Sequence, residues 1–288
     1  MSGKLYLCAT PIGNLEDITL RVLRTLREVD LIAAEDTRNS IRLLNHFEIK
    51  TPLTSYHEYN KIDKADVLAE KLRAGQNIAL ITDAGTPGIS DPGEDLVRIC
   101  YEQGIEVTSL PGPAACVTAL TLSGLPTRRF SFEAFLPKEK KERTAILEEL
   151  KTDTRTIVIY EAPHHLTATL RELLDALGDR RITVCRELTK MHETAFRTTL
   201  AEAAAFYETH GVRGECVLVI EGMSRRELIR QQQGDWLSLT VQEHMAYYTD
   251  GGMDRKSAMK QVARDRGVGK REIYSRLLSG EDSGQQGF

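Results

Sequence analysis

The sequence predicts an α/β protein with two α/β domains followed by a small, all-helical C-terminal module. Three observations predict this architecture. Apolar, β-prone runs alternate with helical patterns up to residue 110, which is typical of βαβ units and a mainly parallel sheet. A second series of strands and helices spans residues 130–220, and several of its strands follow each other without an intervening helix, which indicates a mixed sheet. Beyond residue 234 no strand pattern is found.

The first predicted domain covers residues 1–122. Each of its strands is a short apolar run, and each helix carries apolar residues three and four positions apart. The predicted strands are 4–10, 31–34, 77–82 and 105–110, and the helices are 18–29, 37–47, 62–74 and 93–103.

The second predicted domain covers residues 123–223, and the glycine and prolines of SGLPTRRF (123–130) mark a hinge before it. Its predicted strands are 130–135, 156–160, 181–185, 193–198 and 215–220, and its helices are 140–151, 164–177 and 200–208. The C-terminal module, residues 236–281, is predicted to form three short helices with breaks at Gly251-Gly252 and at 267–269. The tail EDSGQQGF is expected to be disordered.

Composition limits the possible functions. The chain has 288 residues, of which 41% are apolar and 28% charged, and its net charge of -4 excludes a wholly basic nucleic-acid binder. The five cysteines are scattered without a CxxC motif, so we expect reduced, buried thiols and no metal site. The N-terminus lacks a signal-peptide layout and no apolar run is long enough to span a bilayer, so a cytoplasmic protein without membrane contact is expected.

Four predicted strand ends carry unusual residues: TPIGN (10–14), EDTR (35–38), DAGTPG (83–88) and PGPAA (111–115). The carboxyl ends of parallel strands meet at one edge of the sheet, where ligands bind in open α/β folds. Each loop alone also fits ordinary turn chemistry, and the acids of the second fit a helix N-terminus. Their coincidence at one edge nevertheless indicates a cleft. GxGxxG and GxxxxGK[ST] are absent, which disfavours dinucleotides and polyphosphates.

A series of longer motifs carries a family resemblance. In order they are ATPIGNLEDITLR, AEDTRNS, ITDAGTPGISDPG, SLPGPAA, SGLP, FLPK, YEAPHHL, RELTKMHE and GECVLVIEG. Over nearly its whole length the chain resembles the tetrapyrrole methylase superfamily, and within it the branch that methylates a cytidine 2'-hydroxyl in bacterial 16S ribosomal RNA. Gly85-Thr86-Pro87 stands where the porphyrin-methylating relatives have a GDP-type loop, as in the RNA branch.

This resemblance implies a class III fold that binds S-adenosylmethionine (SAM) between the two α/β domains, and a homodimer. It also implies methylation of a cytidine ribose in the decoding region of 16S ribosomal RNA. We expect the assembled small subunit to be the substrate, as suits a late modification, and naked RNA is the alternative. The residues that the family pattern places on the cofactor are Pro11, Asp83, Gly85, Pro87, Gly88, Ile89, Ser90, Ala114, Ala115 and Tyr160.

Methylation of a ribose hydroxyl needs alignment with the methyl donor, and a base or a polar environment for the forming alkoxide would help. Candidates for that base are Glu35, Asp36 and Glu187, of which we favour Asp36 and expect Arg38 to assist. The alternative is that Asp36 caps a helix with Arg38 as its ion-pair partner. Arg186 and Lys190 are candidate phosphate ligands.

The C-terminal module is predicted to be a helix-turn-helix-like domain that contacts RNA. Residues 255–276 contain eight basic and two acidic residues in a chain that is acidic overall. Four of the basic residues are the candidate phosphate ligands: Lys256, Lys260, Lys270 and Arg271. A dimer-packing bundle with a solvated basic face is the alternative.

Three other functions compete with RNA methylation. A nicotinamide-dependent oxidoreductase is disfavoured because GxGxxG is missing. A tetrapyrrole (porphyrin or corrin) C-methyltransferase would share the fold but would need a pocket for a large polycarboxylate. A ligand-sensing DNA-binding regulator would explain the C-terminal module without any enzymatic activity. Binding of SAM, and a choice between RNA and uroporphyrinogen as methyl acceptor, would separate these hypotheses.

Overall fold

The computed structural model describes residues 2–279, so the tail that was expected to be disordered lies outside the described residues. The chain divides into two compact units. The α/β unit comprises the residues up to Lys151 together with Arg155–Glu221, and the C-terminal unit comprises Thr152–Thr154 together with the residues from Gly222 onward. In the described part of the chain, no helix has the length and apolar character needed to cross a bilayer.

The first sheet of the α/β unit is parallel throughout and has the order β3-β2-β4-β1-β5. Its strands are β1 (Lys4–Cys8), β2 (Leu31–Ala34), β3 (Leu53–Ser55), β4 (Ile78–Ile81) and β5 (Glu106–Leu110). The connecting helices are α1 (Leu20–Glu28), α2 (Thr37–His46), α3 (Lys61–Arg73) and α4 (Gly93–Glu102). The sequence did not predict β3, because this edge strand has only three half-buried residues and gives no apolar run.

Helices cover both faces of this sheet, so its central strand is buried on both sides. All four residues of β4 are buried, as expected for a parallel strand between two helical layers. Leu80 packs into one layer of the core and Ile81 into the other. Because all five strands are parallel, their carboxyl ends lie at one edge of the sheet, as predicted.

The second sheet is mixed, as predicted, with the order β6-β7-β10-β8-β9. β6 pairs with β7 in parallel, and the other three pairs are antiparallel. The strands are β6 (Phe130–Phe135), β7 (Thr156–Glu161), β8 (Arg181–Arg186), β9 (Thr194–Thr199) and β10 (Cys216–Ile220). The helices α6 (Lys140–Lys151), α7 (Leu166–Leu177) and α8 (Leu200–His210) contribute to the same core.

Helix α5 (Ala115–Ser123) packs on the second sheet, although it follows the last strand of the first. Cys116 and Ala119 lie in one buried cluster with Val158 and Val219, and Thr183 Oγ1 donates a hydrogen bond to the Ser123 carbonyl at 3.0 Å. The domain boundary predicted at residues 122–123 therefore falls at the end of α5, although α5 packs against the second sheet. The five cysteines are buried, as expected from their apolar surroundings.

The C-terminal unit contains four described helices: α9 (Arg225–Ser238), α10 (Val241–Asp250), α11 (Arg255–Asp265) and α12 (Lys270–Ser279). The three predicted helices and both glycine breaks are present. The sequence interpretation missed α9 because its residues are polar, yet Ser224 and Glu227 form a capping box that signals its start. The buried apolar residues of the unit are Val241, Met245, Ala258, Val262, Ala263 and Ile273.

A buried arginine joins the helices of this unit. Arg266 Nε donates to His244 Nδ1 at 3.1 Å, and its Nη2 donates to the carbonyls of Leu239 (2.6 Å) and Thr240 (2.8 Å). The Trp236 ring stacks on His244 with a centroid separation of 4.0 Å. Arg266 therefore belongs to the interior, which removes it from the basic surface counted in the sequence.

His244 should make the stability of the C-terminal unit sensitive to pH. Burial and the Arg266 guanidinium hold the pKa of His244 below its ordinary value, against the opposing effect of Asp265. Below about pH 6.5 the unfolded state therefore binds more protons, so the free energy of unfolding should decrease as the pH falls. Urea unfolding at pH 7.5 and 5.5, followed by the fluorescence of Trp236, the single tryptophan of the chain, should show this loss.

The matched variant is His244→Asn, whose side-chain carbonyl can still accept from Arg266. It should lose less stability than the wild type between these two pH values. Equal losses in both proteins would contradict the role given to His244.

Candidate active site

A short backbone bridge fastens two of the strand-end loops. Thr10 N donates to the Gly85 carbonyl at 2.9 Å, and Gly85 N donates back to the Thr10 carbonyl at 3.0 Å. Thr10 Oγ1 adds a bond of 3.1 Å to the Thr82 carbonyl. Gly85 has a φ of 88°, a conformation that side chains rarely adopt, which explains the glycine. The loops after β1 and β4 thus form one structure.

The loop of residues 83–93 wraps around the carboxylate of Asp91. This carboxylate accepts hydrogen bonds from the backbone N–H groups of Gly88 (3.0 and 2.9 Å), Ile89 (3.2 Å) and Gly93 (2.8 Å). Ser90 is held at a φ of 64° between them. Asp91 is therefore a structural residue that fixes the shape of the loop.

The loop after β8 packs against the loop after β1. A Cβ atom at Gly13 would lie 2.5 Å from Lys190 Cγ and 2.8 Å from Thr189 Oγ1, so only glycine fits. Glu187 and Thr189 both have left-handed backbones, with φ of 50° and 65°. Glu187 Oε1 accepts from Lys190 Nζ at 3.0 Å and from Glu215 N at 3.2 Å, and it thereby fastens this loop.

Tyr160 connects the second sheet to α5. Its hydroxyl oxygen accepts a hydrogen bond of 3.1 Å from the backbone N–H of Cys116, in the first turn of α5. The Phe132 and Phe135 rings meet the Tyr160 ring edge-on at 4.9 and 5.6 Å. A bulge between these phenylalanines, with Ala134 at a φ of 52°, interrupts the register of β6. Burial raises the pKa of Tyr160, which therefore stays neutral.

These loops enclose a cavity of about 500 Å³ between the two sheets of the α/β unit. This volume falls within the range of small-molecule sites. Seven of the ten predicted cofactor residues line it, together with Lys190: Asp83, Gly85, Ile89, Ser90, Ala114, Ala115 and Tyr160. The lining residues that the sequence interpretation did not assign are Ile12, Thr82, Ala84, Thr86, Asp91, Phe135, Glu161, Ala162, Pro163, Leu188, Glu215, Cys216 and Val217.

Three predicted cofactor residues do not line this cavity. Ile12 occupies the wall position expected for Pro11. Pro87 and Gly88 line a separate open groove on the α/β unit that also involves Leu7. The cause is the fold of the loop around Asp91, which turns the Pro87-Gly88 peptide away from the cavity.

The predicted catalytic pair serves a local structural role. Asp36 caps α2: its Oδ1 accepts from Arg38 N at 2.8 Å, and its Oδ2 pairs with Arg38 Nη2 at 2.9 Å. Hydrogen bonds from Arg38 hold the pKa of Asp36 below its usual value. Neither residue lines the cavity, and Glu187 does not line it either. These contacts match the helix-cap alternative for Asp36 and Arg38.

The neighbouring acid, Glu35, does line the cavity. Its Oε2 accepts a hydrogen bond of 2.5 Å from Thr82 Oγ1, which orients the carboxylate. Arg186, a predicted phosphate ligand, points inward instead: its Nε is buried, and its charge acts on Tyr207 and Cys216.

Comparison with known proteins identifies the class. Residues 4–204 match the family of tetrapyrrole (corrin/porphyrin) methylases. The chain also superposes on the solved structure of uroporphyrin-III C-methyltransferase from Thermus thermophilus complexed with S-adenosyl homocysteine. The TM-score is 0.55 at 19% identity, over 79% of this chain and 99% of that chain, which shows a shared fold. The chain belongs to the tetrapyrrole methylase family.

Closer relatives narrow the assignment within this family. The ribosomal RNA small subunit methyltransferase I of Halalkalibacterium halodurans is 50% identical over 273 residues, which cover 95% of this chain and 94% of the relative. The protein of the same name from Bacillus subtilis is 47% identical over 272 residues, covering 94% of this chain and 93% of the relative. The chain is therefore a member of the small subunit methyltransferase I group.

The contact at Gly13 generates a test of the cavity wall. Gly13→Ala should displace the loop of residues 187–190 and lower the free energy of unfolding by about 1–3 kcal/mol, as overpacking does. The control is Gly234→Ala in α9, where a Cβ atom would meet nothing within 4 Å and where alanine favours the helix. Urea unfolding measures both variants, and equal stabilities would contradict the predicted collision.

Proposed function

We propose that this chain transfers the methyl group of SAM to the 2'-hydroxyl of a cytidine in 16S ribosomal RNA. The observation that carries the proposal is the 50% identity over 95% of the chain to a ribosomal RNA small subunit methyltransferase I. The cavity supports it, because it lies between the two sheets of a fold that is shared with a methylase solved in complex with S-adenosyl homocysteine.

The residues of the cavity fit SAM. Ile12, Ala114 and Ala115 offer small apolar contacts to a flat ring, and the carboxylates of Glu35 and Asp83 add negative charge. A cationic sulfonium is favoured in such surroundings, whereas a polyphosphate is not. When bound, SAM supplies an electrophilic methyl group.

The chain's own contribution is alignment. The Thr10–Gly85 bridge fixes one wall, and the hydrogen bond from Cys116 N to Tyr160 fixes the other relative to α5. Holding two reactants in a productive geometry lowers a barrier by roughly 7–11 kcal/mol. A preformed cavity whose walls are fastened to each other is suited to that task.

Glu35 is the group best placed to accept the proton of the ribose hydroxyl. The other carboxylates around the cavity are engaged or exposed. Both oxygens of Asp83 accept hydrogen bonds at the start of α2, one from Asp36 N at 3.1 Å and the other from Asn39 Nδ2 at 3.3 Å. Both oxygens of Glu161 are also bonded, one to Ala162 N and the other to Thr169 Oγ1.

Glu35 differs from these carboxylates in having one oxygen to spare. Its Oε2 is held by Thr82, whereas its Oε1 has no hydrogen-bond partner among residues 2–279. The side chain of Glu215, in contrast, is 82% exposed and faces solvent. We therefore assign the role of proton acceptor to Glu35 and replace Asp36 in that role.

The proposal is tested by measuring methyl transfer from radiolabelled SAM to three acceptors: small ribosomal subunits, free 16S RNA and uroporphyrinogen. The subunits and the RNA are taken from cells that lack the protein, so that they are unmethylated. We expect label on RNA at a single ribose 2'-oxygen of cytidine, located by mapping of 2'-O-methyl sites. Label on uroporphyrinogen alone would establish the tetrapyrrole alternative.

Glu35→Gln should lower the rate of methyl transfer by about 10²–10⁴-fold, because the amide cannot accept the proton. Affinity for SAM should fall far less than the rate, since the amide keeps the shape of the side chain and Asp83 keeps its negative charge in the cavity. Asp36→Asn is the matched control, because it alters the neighbouring acid outside the cavity. Single-turnover rates and SAM titrations decide: a larger loss of rate in Asp36→Asn than in Glu35→Gln would refute the assignment.

Finer details of the function rest on the family resemblance. We propose that the modified cytidine lies in the decoding region, that the assembled small subunit is the substrate, and that the protein acts in the cytoplasm as a homodimer. Sedimentation of the purified protein, and the comparison of subunits with free RNA in the transfer assay, address the dimer and the substrate.

We also propose that the C-terminal unit contacts RNA. Lys256, Lys260, Lys270 and Arg271 are exposed, and in the described part of the chain none of them forms an ion pair. Arg276, in contrast, pairs with Glu272 at 2.6 Å. Unpaired, solvated cations are available to phosphate groups, and their contacts release counterions.

Replacing Lys256, Lys260, Lys270 and Arg271 by glutamine should weaken RNA binding and make it less dependent on salt. The slope of log affinity against log salt should become shallower by about 0.7 to 0.9 per lost contact. The control replaces the three lysines by arginine, which keeps the charge and should keep the slope. An unchanged slope in the glutamine variant, with a weakened dimer, would show that these residues serve assembly.

A further inference from the structure

The segment between β3 and α3 forms a fastened loop at the carboxyl edge of the first sheet. The Asn60 side chain holds it together: Oδ1 accepts from His57 N at 2.8 Å, and Nδ2 lies 3.3 Å from Ser55 Oγ. β3 is the neighbour of β2 in the sheet, so this loop lies beside the strand end that carries Glu35.

The same loop is tied to the wall of the cavity. Tyr56 is buried, and its hydroxyl donates to the Pro92 carbonyl at 3.0 Å, one residue beyond Asp91. Lys61 Nζ pairs with Asp95 Oδ2 at 2.9 Å, which joins the starts of α3 and α4. The β3–α3 loop therefore cannot move independently of residues 83–93.

Tyr59 is held in solvent by this fastened loop. Its side chain is 97% exposed, although an aromatic ring gains free energy when it is covered. Arg38, at the next strand end, has a side chain that is 87% exposed. An exposed ring on a rigid support is the kind of stacking platform that binds unpaired nucleotides. Arg38, although paired with Asp36, adds an exposed cation at the neighbouring strand end.

We propose that Tyr59 stacks on an unpaired base of the RNA, next to the nucleotide that enters the cavity. The inference rests on the proposed function, and it names a binding position outside the cavity. The polar neighbours favour RNA over a protein partner: His57, Glu58, Asn60 and Lys61 flank Tyr59 in the sequence, and a protein interface of useful size would need a larger apolar area than Tyr59 and the exposed Ile62 offer.

The test compares Tyr59→Ala, Tyr59→Trp and Tyr101→Ala in methylation of unmethylated small subunits. Tyr101 is the matched control, because it is 69% exposed but lies near the end of α4, which runs away from the carboxyl edge. In Tyr59→Ala we expect the KM for RNA to rise about 5- to 150-fold, the range of one lost base stack, with the affinity for SAM unchanged. Tyr59→Trp should retain the wild-type KM, since it preserves a stacking surface.

Two results would overturn the inference. One is a KM in Tyr59→Ala equal to that of Tyr101→Ala. The other is a change in oligomeric state of Tyr59→Ala by sedimentation, which would make the loop a contact between protein chains. If the wild type methylates no RNA, both the proposed function and this inference are wrong. If the wild type methylates RNA and Tyr59→Ala has the same KM for RNA, only the stacking role of Tyr59 is wrong.

Discussion

The backbone bridge between Thr10 and Gly85 is the constraint on which the rest of the site depends. It forces the loops after β1 and β4 into one structure, and it requires the positive φ of Gly85. The loop after β1 also packs against the loop after β8, at Gly13. The bridge therefore couples the position of the first sheet to that of the second. The cavity walls are thus set by main-chain contacts, which side-chain substitutions elsewhere leave in place.

The fold was predictable because its signals are local and repeated. Apolar runs followed by helical patterns located nine of the ten strands that the structure describes, and they predicted one mainly parallel and one mixed sheet. The missed elements include three for which local patterns are weak: β3 is too short, α9 is too polar, and α5 lies in a stretch without a clear helical period. The packing of α5 on the second sheet depends on contacts between distant residues, such as Cys116 with Val158, which no local pattern contains.

The site was predictable to the level of loops, but not to the level of side chains. Sequence placed the strand-end loops together, yet the direction of each residue within a loop depends on hydrogen bonds such as those to Asp91. For the same reason Glu35 and Asp36, adjacent in sequence, differ in role. One turns into the cavity, and the other turns back to cap the helix that follows it.

The left-handed residues around the cavity have a consequence for the evolution of the protein. Ser90, Ala134, Glu187 and Thr189 adopt positive φ angles in or beside the cavity walls, and each such residue costs about 1–3 kcal/mol. Glycine at these positions would relieve the cost but would loosen the loops that carry the site. Selection for thermal stability and selection for turnover therefore act in opposite directions on these positions, and a more stable variant obtained there would be a slower enzyme.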